Sequence, residues 1–521
     1  MKDSLRINFV MSAAPLISGG PLAILEYANR FIERGHDVSI TIYPDNSWDG
    51  DNPFPWFKFK GPIHYKKTRL APKYDCSLTA LSGLERDDPG ALGNVLLHSF
   101  GLDAVRESLL RLFDVSDRAL WDYLLRFVLT SMPLMEAMPE CDLNIATRWD
   151  TVYPVLFSHK GTPVYFMQHY EEVFYPPQPD SLMSRLLARL SYSLPVHKVA
   201  NSSWLRDVIK AKFGQEVPFS NNGLELSDFS PRAKASSIDG VIRVFTYSRP
   251  DDWKGFGDAV AAMSKVRLRY GARVQWHVFG YQFPELPENN PYARYQYHPK
   301  LSFAALAELY ATSDIALCPS WFESFPLPPL EAMASGTAVI TTAYGTEDYA
   351  FDGQNALVIG SRDVEAMYRA VSRLIEDEAL REKLAAAGLT TAQEFNWDRA
   401  VVRREQILLD IHHGKTKYDL LKPAGLGLSD SFGIDFERAP LDVKVPESGM
   451  FWQEGTLYLL HAGVKRPITN ADLVPTLVEY NLRYLTVDNL TFIRTPTGFP
   501  ISRIADLPED VFDHVRAAEE S

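Results

Sequence analysis

LRINFVMSAAPLISGGPLAILEYANRFIERGHDVSITIY, residues 5–43, holds two apolar runs with a helical pattern between them. LRINFVMS is a short apolar run of the kind that suits a buried parallel strand. SAAPLISGGP follows as a loop of turn residues, with Pro21 where a helix takes its first residue. Leu25, Ala28 and Ile32 repeat at spacings of three and four, Gly35 supplies the stop, and DVSITIY is the next strand. Such a crossover predicts a parallel sheet with right-handed connections.

The same alternation recurs further along. DLNIATRW, TPVYFMQHY and VHKVANSS read as three more strand ends with polar tips. After the polar link PRAKASSIDG (231–240) a second series begins: VIRVFTYS, ARVQWHVFG, DIALCPS and TAVITT as strands. Helical patterns lie between and after them, with Ser302 as a cap for SFAALAELYATS. Two such series predict an α/β protein of two doubly wound, Rossmann-like domains facing across a cleft. The expected division is 1–232, with a helical insertion at about 60–138, and 233–414, whose last helix at about 397–413 packs back on the first domain. Residues 440–521 read as a small appended β-containing module, with short runs at GTLYLLHAG, RYLTVDN and TFIRTP and with KRPIT between the first two.

Composition excludes several classes. The 521 residues are 46% hydrophobic and 23% charged, which is ordinary for a globular chain with more than one core. A net charge of −13 argues against a nucleic-acid partner. Residues 414–521 carry 11 basic and 16 acidic side chains, so they form no basic membrane anchor. Cys76, Cys141 and Cys318 are odd in number and far apart, which suits a reducing compartment and neither a disulfide framework nor a zinc site. The N-terminus is too short in apolar residues for a secretory signal, and no stretch reaches transmembrane length. The expectation is a cytoplasmic protein, with peripheral association at the inner face of the membrane left open.

SWFESFPLPPLEAMASGTAVI, residues 320–340, carries the chemistry. Glu323 lies in a loop after a strand, and Glu331 follows eight residues later near the start of a short helix. A carboxylate accepts paired hydrogen bonds, and the vicinal hydroxyls of sugars offer such pairs. Between the two, a helix N-terminus offers free N–H groups to a phosphate. Helix-end electrostatics and solvation alone would also account for both glutamates.

This spacing, E-x7-E followed by EAMASGTAVI, resembles the donor-site signature of the retaining family 4 glycosyltransferases of the GT-B superfamily. SRPDDWKGF (248–256) is similar to the family's Arg-x4-Lys-Gly segment, at Arg249 and Lys254. SNNGLELSDFSP (220–231) resembles its stretch before the second domain, and ISGGP (17–21) its N-terminal Gly-Gly loop. The resemblance implies that Arg249 and Lys254 meet a diphosphate, Glu331 holds the nucleotide ribose and Glu323 a hydroxyl of the transferred sugar. Gly19 and Gly20 would let backbone amides approach the donor phosphates or the acceptor, although a tight turn would use glycine equally well. His169, at the end of a strand, would contact donor sugar and acceptor; a structural histidine is the competing reading. Tyr170 and Glu171 stand beside it, Asp150 after the strand DLNIATRW is a further cleft candidate, and Asn222 and Gly223 shape the interdomain turn. Ser324 and Pro326 replace the family's usual glycines, and Pro326 removes an amide, leaving those of Phe325 and Leu327.

The resemblance thus implies an enzyme of the hexosyl- or deoxyhexosyltransferase kind. It would use a UDP-, GDP- or dTDP-sugar as donor substrate, with no cofactor and no metal. Its acceptor would be a glycan, a lipid-linked or a protein-linked hydroxyl, and the C-terminal module would dock a partner or polymer. The aromatic stretch Phe54–Phe59 either lines such an acceptor site or is plain core. A nucleotide-sugar 2-epimerase on the same scaffold and a non-catalytic polysaccharide-binding assembly protein stay open as alternatives.

Overall fold

The computed structural model describes residues 4–14, 17–43, 52–65, 131, 134–175, 179–232, 240–249, 251–280, 294–299, 301–415, 448–453, 456–461 and 464–468. Most of the expected insertion at 60–138, Cys76 and the strands expected at RYLTVDN and TFIRTP lie outside these residues. The chain divides into two compact units, Met1–Gly223 with Trp397–Gly433, and Leu224–Asn396 with Ile434–Ser521.

The first unit is built on six parallel strands: β1 (Arg6–Ser12), β2 (Asp37–Tyr43), β3 (Ile63–His64), β4 (Leu143–Ala146), β5 (Thr162–Met167) and β6 (His197–Ala200). They lie in the order β3-β2-β1-β4-β5-β6, with Ile7 of β1 opposite both Val38 and Leu143. Helices α1 (Gly19–Glu33), α2 (Trp149–Ser158), α3 (Pro179–Ser191) and α4 (Ser203–Phe213) belong to this unit. One departure from expectation is the start of α1. It begins at Gly19, so the two glycines lie in its first turn and Pro21 is its third residue. First-turn N–H groups make no intrahelical bond, so glycine and proline cost little there. Phe54 is fully buried in this core, with Trp56, Phe57 and Phe59 packed against it, so the aromatic stretch is core.

The second unit repeats the plan. Its strands are β7 (Ile242–Ser248), β8 (Val274–Gly280), β9 (Gln296–Pro299), β10 (Ile315–Cys318), β11 (Ala338–Thr342) and β12 (Leu357–Ile359). All pair in parallel, in the order β12-β11-β10-β7-β8-β9. Numbered from one within its own unit, each sheet has the strand order 3-2-1-4-5-6, the Rossmann arrangement. The helices are α5 (Phe256–Tyr270), α6 (Phe303–Thr312), α7 (Leu327–Ala334), α8 (Val364–Glu376) and α9 (Glu378–Ala392). Ser302 caps α6 by accepting from the Ala305 amide. Cys318 ends β10 fully buried, where burial pushes its thiol far above the ordinary value.

Helix α10 (Trp397–His412) belongs to the first unit, where Trp397, Val401, Leu408 and Ile411 join the core around β1 and α1. Gly223 makes this possible locally: a Cβ there would stand 2.6 Å from Cα of Trp397. Near the C-terminus, β13 (Ser448–Gln453), β14 (Thr456–His461) and β15 (Val464–Pro467) form an antiparallel sheet in that order. Lys465 and Arg466 therefore lie within a strand, where a connecting segment was expected.

Candidate active site

In a sheet of this order, the chain leaves the carboxyl ends of two neighbouring strands in opposite directions, opening a crevice at that point. In the second unit the two strands are β7 and β10. Arg249 directly follows β7, and one turn of 3-10 helix, Asp252–Lys254, brings Lys254 round. Gly255 then has φ +68, and a Cβ there would meet the Pro319 carbonyl at 2.1 Å. The Trp321 amide donates to the Trp253 carbonyl at 2.8 Å, tying this loop to the one after β10. Lys254 Nζ consequently reaches Glu323 Oε1 at 2.7 Å and stands 3.9 Å from the Trp253 ring centroid. Trp253 in turn stacks on Phe322 at 5.1 Å.

Glu323 is held from behind as well. Its amide donates to the Tyr344 carbonyl at 3.1 Å, and Gly345 (φ +87) leaves room for the Glu323 carbonyl, which a Cβ would approach to 2.3 Å. Glu331 is the fifth residue of α7. Burial pushes its carboxyl up to about 7, opposed by the neighbouring Tyr310 hydroxyl and by the charge of Arg249. Arg249, Lys254, Glu323 and Glu331 therefore share one end of one sheet.

The helix N-terminus between the two glutamates is poorer in donors than expected. Pro326 is its cap, and Pro328 and Pro329 occupy its first turn, so among residues 326–329 only Leu327 has an N–H. The Phe325 ring is buried against Tyr349 and Phe395, and the Tyr349 hydroxyl donates to the Pro326 carbonyl at 2.7 Å. What Phe325 and Leu327 can offer a ligand is their backbone amides.

The first unit places Gly19, Gly20 and His169 at the carboxyl ends of β1 and β5. A Cβ on Gly20 would stand 3.6 Å from the Gln168 side chain, so α1 starts beside the loop that carries His169. His169 is buried, with its ring 4.7 Å from that of Phe174, and its carbonyl accepts from the Tyr192 hydroxyl at 2.9 Å. Glu171, also buried, accepts from the Trp149 amide at 2.8 Å, joining the loops after β4 and β5. Burial pushes its carboxyl up to about 8. Asp150 is engaged by Arg148, whose Nε donates to it at 2.7 Å.

Residues 242–377 match the family model described as Glycosyl transferases group 1. The O-antigen biosynthesis protein RfbC of Myxococcus xanthus is 26% identical over 283 residues, 52% of this chain and 21% of that protein. A D-inositol 3-phosphate glycosyltransferase of Streptomyces griseus subsp. griseus is 34% identical over 106 residues, 20% of this chain and 22% of that protein. These matches span about a fifth of the length of both curated relatives. Among solved structures, sucrose-phosphate synthase from Thermosynechococcus elongatus gives a TM-score of 0.56 at 16% identity, covering 78% of this chain and 99% of that one. Anabaena HepE in complex with UDP-glucose gives 0.51 at 14% identity, covering 78% and 100%. At such identities the likeness is one of fold, the two Rossmann-like domains of GT-B proteins.

Proposed function

We propose that the chain is a retaining glycosyltransferase that moves a hexosyl or deoxyhexosyl group from a nucleotide-diphosphate sugar to an acceptor hydroxyl. The observation that carries this reading is the grouping of Lys254 with Glu323, and of Arg249 with Glu331, at the β7/β10 crevice of a segment that matches group 1 glycosyl transferases. The name of the Myxococcus relative supports a place in surface polysaccharide or glycoconjugate synthesis. HepE, solved with UDP-glucose, supports a nucleotide sugar as donor.

In this reading Arg249 and Lys254 neutralise the diphosphate as the bond from its oxygen to the anomeric carbon breaks. The acceptor oxygen forms the new bond on the same face, and its proton passes to the departing phosphate oxygen. Glu331 accepts from the ribose hydroxyls, Glu323 from a hydroxyl of the sugar, and the amides of Gly19, Gly20, Phe325 and Leu327 bind phosphate or hydroxyl oxygens. His169 orients donor sugar and acceptor. A panel of UDP-, GDP- and dTDP-sugars tested by thermal shift identifies the donor, because a ligand of the native state raises the melting temperature. Product analysis then finds free nucleoside diphosphate and an acceptor glycosylated with retained anomeric configuration. A chain that shifts with no nucleotide sugar, or that isomerises the donor without an acceptor, overturns this reading.

A further inference from the structure

Glu323 Oε1 receives two donors, Lys254 Nζ at 2.7 Å and Ser320 Oγ at 2.8 Å. Among the described residues, the hydrogen bonds to this carboxylate fall on that oxygen and not on Oε2. The single hydroxyl proton of Ser320 is committed to the carboxylate, so Ser320 Oγ is the acceptor in its 2.7 Å contact with Tyr247, whose hydroxyl donates. Tyr247 is buried, and burial together with the charge of Glu323 keeps its hydroxyl protonated. Both hydroxyls stand on rigid ground. Tyr247 lies within β7, and Ser320 follows β10 with its carbonyl accepting from Thr342 at the end of β11.

We propose that Tyr247 and Ser320 are positioning residues: they hold Glu323 by Oε1 and so present Oε2 to one hydroxyl of the donor sugar. This rests on the glycosyltransferase reading. A carboxylate on a loop otherwise samples several rotamers, and fixing it in advance removes that entropy from the cost of binding. Because the relay ends on a sugar-binding group, it acts on the sugar half of the donor and leaves the nucleotide half alone.

Calorimetric titration of the full chain tests this with the best donor from the panel and with its parent UDP, GDP or dTDP. Tyr247→Phe and Ser320→Ala each weaken the nucleotide sugar by about fivefold to tenfold, the size of one hydrogen bond, and leave the bare nucleotide unchanged. Adding Ser320→Ala to Glu323→Ala has no further effect, because the serine acts through that carboxylate. Should Ser320→Ala fail to fold, Tyr247→Phe keeps the ring and carries the same comparison. Equal weakening of both ligands, no weakening of either, or additive losses in the double variant overturns the proposal and spares the glycosyltransferase reading. If the unaltered chain binds neither ligand, that reading fails and takes the proposal with it.

Discussion

The guanidinium carbon of Arg404 stands 3.7 Å from the centroid of the Phe166 ring, inside the first unit. The Tyr27 ring lies 4.5 Å from the same carbon, while Nε and Nη2 donate to Ser220 Oγ and O at 2.6 and 2.8 Å. A buried cation is thus bound by ring faces and neutral oxygens, and it joins α10 to β5, α1 and the end of the first chain segment of this unit.

Arg404→Ala removes the cation–π contacts and leaves both Ser220 oxygens without their donors. The expected loss is about 3 kcal/mol of unfolding free energy. Urea unfolding reads it as a lower midpoint with an unchanged slope. Arg404→Met, which keeps the apolar stem and its packing, loses less than the alanine variant. Equal stability of all three chains would refute the account of this contact.

Lys254→Ala and Glu331→Ala test the donor site from its two ends. In the proposed reading Lys254 supplies charge to the leaving diphosphate, so its removal lowers kcat/KM by about 100-fold, the loss typical of one preorganised electrostatic group. In the same reading Glu331 holds the ribose, so Glu331→Ala is expected to abolish the thermal shift with the bare nucleotide as well as with the nucleotide sugar. Full donor binding in both variants would remove these residues from the site.

Glu171 makes stability depend on pH. Its folded carboxyl titrates at about 8, raised by burial from an ordinary value of 4.5. Below the ordinary value both states hold the proton. Between the two values the unfolded chain gives it up and the folded chain keeps it, so this residue makes stability fall as pH rises. Glu171→Gln keeps an acceptor for the Trp149 amide and has nothing to titrate. Its melting temperature therefore declines less than that of the unaltered chain across this interval, and a parallel decline in both would show that Glu171 is not the group responsible.

Much of the fold is readable in the sequence because parallel strands covered on both faces appear as predominantly apolar runs, as in LRINFVMS and VIRVFTYS. Edge strands lack that signature. β9 is QYHP with no residue fully buried, and β12 is only LVI, so neither stands out from its surroundings. The start of α1 at Gly19 is hidden by a pair of glycines that elsewhere would mark a turn. Glu323, Glu331, Arg249 and Lys254 are legible through local spacing. Tyr247 and Ser320 are not: they are 73 residues apart, and only the pairing of β7 with β10 brings their oxygens together.

Gly255 shows how closely the site depends on backbone. At φ +68 it occupies the left-handed region, and a Cβ would lie 2.1 Å from the Pro319 carbonyl. Gly255→Ala can fold only if the Lys254 loop parts from the loop that carries Glu323, breaking the 2.7 Å ion pair between them. We expect a cost of about 2 kcal/mol or more, from φ strain and the steric contact together, and with it a loss of donor binding. Gly257→Ala is the matched control. It lies two residues on, within α5, with open space around its Cβ. The helix should gain about 0.5–1 kcal/mol from alanine there while donor affinity stays unchanged. Similar behaviour of the two variants would mean that proximity in sequence, and not the clash with Pro319, governs the site.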